Sequence, residues 1–248
     1  YPFDGIVLTD TFQLGESDGN DKMFSEMFPQ NSERVAKQKK ATLRVIIGNP
    51  PYSVGQKSAN DNAQNQKYEK LDGRIEQTYA KKSTATSVKA LYDSYIKAYR
   101  WSTDRLDPKN GGVICFVSNG SWIDGNGMDG FRKTLESEFT SIYVFNLRGN
   151  ALGSGEKRKK ESGNVFGSGT RTSIAITLLI KNPKSKVDKT TIRYYDIGDY
   201  LSREDKLNIV RKYSNIGIDE IQWRTLTPNE HGDWVSQRND VFSTYINI

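Results

Sequence analysis

The sequence predicts an α/β protein, an open sheet flanked by helices. Three observations carry that reading. Residues 43–48, 113–117, 142–147 and 173–181 are short apolar runs rich in β-branched side chains, as buried strands are. Residues 87–106 and 127–139 repeat their apolar side chains every three or four positions, the spacing of one helix face. The two kinds of segment alternate along the chain, which suits a sheet with helices packed on it.

Taken in order, residues 5–9 read as a short strand. Residues 17–40 are polar, with Met23, Phe24, Met27 and Phe28 at helix-like spacing, a packing stripe. Residues 43–48 form a strand that ends at two prolines. Residues 53–66, rich in Asn, Gln, Ser and Lys, read as a loop or a disordered stretch. Residues 68–80 make a short helix. The strongest helix spans 87–106: Val88, Leu91, Tyr92, Tyr95, Ile96 and Tyr99 share a face, Ser87 is placed to cap it, and Asp107-Pro108 stops it. A second strand follows at 113–117, then a helix at 127–139 with Phe131, Leu135 and Phe139 on one side. Strands at 142–147 and 173–181 are joined by 148–170, a connection rich in Gly, Ser and charge. Connections of that length are usually functional or disordered. Asn182-Pro183-Lys184 closes the region; 192–197 is strand-like, 203–213 helical, and the tail from Ile221 aromatic and polar.

At 248 residues and 35% hydrophobic content the chain can bury a sizeable core in one or two domains. Mean hydropathy is −0.70, and no apolar run reaches membrane-spanning length. A net charge of +6 suits a polyanionic partner, though only mildly. Cys115, the single cysteine, lies in a strand-like run and reads as a buried structural thiol. His231, the single histidine, lies in a polar turn, so neither a His/Cys metal site nor a nucleophile–histidine pair is supported, and no metal is expected.

The stretch richest in chemistry is Asn49-Pro50-Pro51-Tyr52. Neither proline has an N–H to give a sheet ladder, and Asn49 is pushed out of the helical region by the proline after it. The result is a stiff, extended turn at the carboxyl end of a strand, where open α/β sheets bind ligands. It offers an amide side chain, free carbonyls and one aromatic face. The Asn49 amide oxygen and Pro50 carbonyl suit an exocyclic amine as acceptors, and Tyr52 suits stacking on its ring. An ordinary Pro-rich turn with Tyr52 in a core would share the pattern.

Those residues resemble the catalytic motif of amino-methylating DNA methyltransferases that act on N6 of adenine. The resemblance extends along nearly the whole chain. Asp10-Thr11-Phe12 after Gly5-Ile6-Val7-Leu8-Thr9 resembles the acidic motif that reads the cofactor adenine. Gly111-Gly112-Val113-Ile114-Cys115-Phe116-Val117-Ser118 resembles the strand after the catalytic one. Phe145-Asn146-Leu147-Arg148-Gly149-Asn150 and Phe166-Gly167-Ser168-Gly169-Thr170-Arg171-Thr172 resemble the late hairpin with its loop. Together they are similar to the methyltransferase part of single-polypeptide (type ISP) restriction–modification enzymes, which also carry nuclease and helicase parts.

The resemblance implies a class I AdoMet-dependent methyltransferase sheet, Rossmann-like and partial. Family members place a Gly-rich AdoMet loop and a ribose-binding carboxylate upstream of the Asp10 motif. The chain opens at Tyr1-Pro2-Phe3 and is therefore read as an internal piece, inactive alone. Residues 1–185 are expected to be the carboxyl-terminal part of the catalytic domain, and 186–248 a linker and the start of a target-recognition region. The expected cofactor is S-adenosyl-L-methionine, with Asp10 accepting from its adenine amine and Phe12 walling the ring. A helix N-cap or turn aspartate would share the Asp10 pattern, and Phe12 would serve equally as core. Asn49, Pro50, Pro51 and Tyr52 are the implied catalytic set. Phe166 is a second wall for a flipped adenine, and Lys157, Arg158, Lys159 and Lys160 are phosphate contacts or simply a solvated run. Partners are double-stranded DNA and the rest of the same polypeptide, in the cytoplasm and away from membranes. The competing function is a DNA-binding or scaffold segment of a helicase or nuclease, without methyl-transfer chemistry. In the implied sheet the strands at 43, 113, 173 and 142 pair in that order, the turn at Asn49 ends a central strand, and residues 5–9 do not lie beside 43–48. The connection 148–170 is expected to be mobile without DNA.

Overall fold

The sheet is built from the runs that the sequence marked. In the computed structural model, which describes residues 5–16, 26–51, 67–167, 170–186 and 188–238, its strands are β1 (Val45–Gly48), β2 (Gly112–Asn119), β3 (Ser141–Arg148), β4 (Ile174–Lys181), β5 (Thr191–Asp196) and β6 (Arg224–Leu226). They lie in the order β1-β2-β4-β3-β5-β6. β1 runs parallel to β2, and β3 to β5, whereas β4 is antiparallel to both of its neighbours. The carboxyl ends of β1, β2, β3 and β5 therefore share one edge of the sheet with the amino end of β4. The implied order of the first four strands is the order observed. β5 and β6 extend the same sheet into the segment expected as a linker.

Helices α1 (Pro29–Lys40), α2 (Glu69–Ile75), α3 (Ser94–Arg105), α4 (Asp129–Glu138), α5 (Gly155–Lys160) and α6 (Arg203–Lys212) complete the described architecture. α2 continues as a π-helical turn, Glu76–Ala80. Alternate strand residues Ile114, Phe116, Ile142, Val144 and Leu179 bury against α3 and α4, where Tyr95, Ile96, Tyr99, Phe131 and Leu135 are all buried. Tyr99 sits edge-on to Phe116 and Phe131, with centroids 5.0 and 5.3 Å away. Gly130 lets α4 approach the π-helical turn: a Cβ there would come within 1.9 Å of the Tyr79 carbonyl oxygen. On the opposite sheet face Phe145, Leu147 and Ile174 form a smaller cluster with Leu207 and Val210 of α6 and with Trp223.

Three expectations are corrected. Residues 5–9 are not a strand. They run beside α1, where the Asn31 side chain accepts from the Leu8 N–H (2.8 Å) and donates to the Leu8 carbonyl (2.9 Å). The helix expected over 87–106 is broken: a 3-10 turn, Lys89–Tyr92, precedes α3, and Asp93, not Ser87, caps α3 by accepting from the Tyr95 N–H. Apolar periodicity continues through such a break because both pieces face one core. Lastly, β1 is an edge strand of the described sheet rather than a central one, pairing with β2 alone. Ile46 packs on the main core, while Val45 and Ile47 on the other face are 64% and 76% exposed.

Candidate functional site

β1 delivers the Asn-Pro-Pro turn to the sheet edge where the carboxyl ends of β1, β2, β3 and β5 gather. Its last residue, Gly48, pairs with Phe116, and a Cβ there would meet that ring at 3.2 Å. Pro50 is buried, which anchors the turn, while Asn49 before it and Pro51 after it are exposed. The amide of Asn49 is thus presented to solvent from a fixed backbone. Tyr52 and the segment 53–66 lie outside the described residues. β2 runs on beside the turn to Asn119, whose buried side-chain oxygen accepts from the Ser121 N–H (2.9 Å) and hydroxyl (2.7 Å).

Asp10 and Phe12 form a second cluster, organised by α2. One oxygen of Asp10 accepts from the Phe12 N–H at 2.9 Å, the turn-capping role that its sequence context allowed. The other accepts from the Tyr68 hydroxyl at 2.7 Å. Tyr68 also meets Phe12 edge to face, centroids 5.3 Å apart, and Lys97 lies over its ring at 5.2 Å. Burial, then the bond to Asp10, pushes the Tyr68 phenol well above its ordinary value, so it stays a donor. Buried Glu16 finishes the junction by accepting from the Lys70 and Leu71 N–H groups at 2.9 and 3.0 Å, orphan donors at the start of α2. Sequence reading missed Tyr68 and Glu16. Their positions just before a helix and after an acidic motif were the only signals available.

The late connection supplies the third cluster. The base of the connection 149–170 is tied together by hydrogen bonds. Glu161 accepts from the Gly149 and Asn150 N–H groups, and Asn164 donates to the Gly149 and Thr172 carbonyls. Arg148 takes a left-handed backbone, φ 56°, and pairs with Asp196 at 2.6 Å and with Asp199. Lys157, Arg158, Lys159 and Lys160 lie on α5. The first three are exposed, and Lys160 reaches Asp199 at 3.3 Å. Phe166 is 45% exposed. β1 and β3 are separated by three strand spacings, so the turn and the base of this connection stand about 14 Å apart on one edge.

Cys115 is half-buried, with burial pushing its thiol up, as suits a structural residue. Among the described residues no group of three or more His, Cys, Asp or Glu side chains could hold a metal. Nor is any described helix long and apolar enough to cross a membrane.

The model of the Eco57I restriction-modification methylase family matches residues 8–151, from just before Asp10 to just past β3. The chain belongs to that family. Among solved structures, this Eco57I-family chain is similar to a nuclease-deletion mutant of the type ISP restriction–modification enzyme LlaGI in complex with a DNA substrate mimic. Identity is 46% over 99% of this chain and 19% of that one, with a TM-score of 0.89. The ATP-dependent type ISP enzyme LlaBIII bound to DNA follows at 42% identity over 98% of this chain and 16% of that one, TM-score 0.88. A DrdV–DNA complex gives 36%, 97%, 22% and 0.83. The methylase chain thus spans less than a quarter of each of these proteins. No curated protein matches it.

Proposed function

We propose that this methylase chain carries the target-base and cofactor-adenine residues of an AdoMet-dependent DNA methyltransferase acting on N6 of adenine, within a restriction–modification polypeptide. The observation that carries the reading is the Asn49-Pro50 turn: an exposed amide on a proline-anchored backbone at the carboxyl end of β1, in an Eco57I-family chain. The adenine amine is a poor nucleophile because its lone pair is delocalised into the ring. The Asn49 amide oxygen and the Pro50 carbonyl accept from it and draw the nitrogen toward tetrahedral geometry, localising that pair. This is positioning and electrostatic preorganisation. Tyr52 stacks on the base, which must leave the duplex to reach the turn. AdoMet supplies an electrophilic methyl group with a neutral leaving group, so no strong acid or base is required of the protein.

The residues present fit the cofactor's adenine. Asp10 is exposed, and a carboxylate has about four acceptor positions, so its bonds from Phe12, Tyr68 and, at 3.5 Å, Gln13 still leave room for an amine. Phe12 beside it packs partly on the main core, the other role its sequence allowed, and the half-buried ring is left as the apolar wall. The likeness to LlaGI, LlaBIII and DrdV, whose structures include DNA or a mimic of it, supports a DNA substrate. Phe166 and the α5 cations are assigned to the flipped base and to phosphates respectively. Residues 186–248, whose β5 and β6 belong to the same sheet, are assigned toward target recognition at their far end.

The test is methyl transfer from labelled AdoMet to duplex DNA by the full-length protein, with the product nucleoside identified by mass spectrometry. N6-methyladenine that disappears with Asn49→Ala is expected. Unmodified DNA would leave the binding-only alternative, and modification indifferent to Asn49 would take the chemistry away from the turn.

A further inference from the structure

Tyr68 was not marked by any motif, yet it holds the one carboxylate assigned to the cofactor. We propose that Tyr68 is a positioning residue for AdoMet: its hydroxyl and ring fix the Asp10 carboxylate and the Phe12 wall in the orientation that reads the cofactor's adenine. The inference deepens the reading of Asp10 given above and rests on it.

Four observations converge. The Tyr68 hydroxyl donates to one Asp10 oxygen at 2.7 Å while the other oxygen caps the turn through the Phe12 N–H, so both ends of the carboxylate are pinned. The Tyr68 ring meets the Phe12 ring edge to face, so the same residue sets both candidate adenine contacts. Tyr68 itself is 4% exposed and is the extended residue immediately before α2, two of whose free N–H groups are occupied by Glu16. Its ring is therefore held by burial beside a satisfied helix end. Finally, Asp10 remains exposed, so the bond from Tyr68 orients the carboxylate without covering it. An exposed aspartate on a short turn would otherwise sample several rotamers. A hydrogen bond to an ionised acceptor removes that freedom before the ligand arrives, which is how preorganisation raises affinity.

The experiment is calorimetric titration of the full-length protein with S-adenosylhomocysteine and with S-inosylhomocysteine, in which a carbonyl replaces the adenine amine. Tyr68→Phe keeps the ring and removes the hydroxyl. It is expected to weaken S-adenosylhomocysteine binding about tenfold and to leave S-inosylhomocysteine within about twofold. In methyl transfer it should raise the KM for AdoMet at unchanged kcat, and it should have no further effect in an Asp10→Ala background. Equal weakening of both ligands, or the same loss with Asp10 already removed, would make Tyr68 a merely structural residue and overturn the proposal. If Asp10→Ala itself leaves S-adenosylhomocysteine binding intact, the assignment of Asp10 fails instead, and that outcome is separately visible.

Discussion

One guanidinium nitrogen of Arg100, on α3, lies 3.0 Å from each carboxylate oxygen of Glu138 at the end of α4. Its other terminal nitrogen reaches Asp104 at 2.6 Å, and Arg74 joins Asp104 at 3.0 Å, so three helices meet in one charge network. Arg100 is 1% exposed. Removing one partner of a buried pair leaves charge without compensation, whereas an apolar side chain of similar length keeps the packing. Arg100→Ala should lose about 3 kcal/mol of stability and Arg100→Met clearly less. Urea unfolding of both variants checks this; equal losses would mean that the charges, not the packing, dominate.

Two glycines in helices should respond in opposite directions to the same change. At Gly130 a Cβ would strike the Tyr79 carbonyl oxygen, while at Gly73 in α2 it would meet nothing within 4 Å. Gly73→Ala should stabilise by about 0.5–1 kcal/mol through helix propensity. Gly130→Ala should destabilise by about 1–3 kcal/mol through overpacking. Thermal midpoints moving the same way for both would refute the close approach of α4 to the π-helical turn.

Lys206 on α6 is fully buried, and burial brings its ammonium down to about 8 although Glu161 opposes the change. The unfolded chain holds that proton until about pH 10.4. Between these values the unfolded state binds the extra proton, so this group makes stability rise with pH. Below about 8 its penalty is present in full. Lys206→Met should be more stable than wild type at pH 7, and the advantage should shrink from pH 8 toward 10. Denaturation midpoints across that range decide; a constant difference would show that Lys206 keeps its proton on folding.

The exposed cations of α5 give a prediction about DNA. Reversing Lys157, Arg158 and Lys159 to Glu in the full-length protein should weaken DNA binding and flatten its dependence on salt, because fewer phosphates are neutralised and fewer counterions leave the duplex. An unchanged slope of log affinity against log salt would make the run a solvated surface.

Much of this was legible in the sequence, and unevenly so. The apolar runs at β1 to β4 were visible because strand burial leaves a compositional trace. So was Asn49-Pro50-Pro51, whose local stereochemistry fixes its own turn. Residues 5–9 misled for the same reason: Ile6, Val7 and Leu8 have strand composition, but Ile6 and Leu8 lie exposed beside α1. The break before α3 was hidden by continuous core-facing periodicity. Tyr68 and Glu16 escaped notice because their partners are 58 and about 54 residues away, and no local pattern encodes a contact at that separation.

On its outer side β1 meets no other strand among the described residues, and Val45 and Ile47 are exposed there. An edge strand of that kind is a template for another strand. The 248-residue chain should therefore self-associate as its concentration rises, and the contact should form next to Asn49. A lysine at position 47 would act as a gatekeeper, blocking strand addition while leaving the buried Ile46 face untouched.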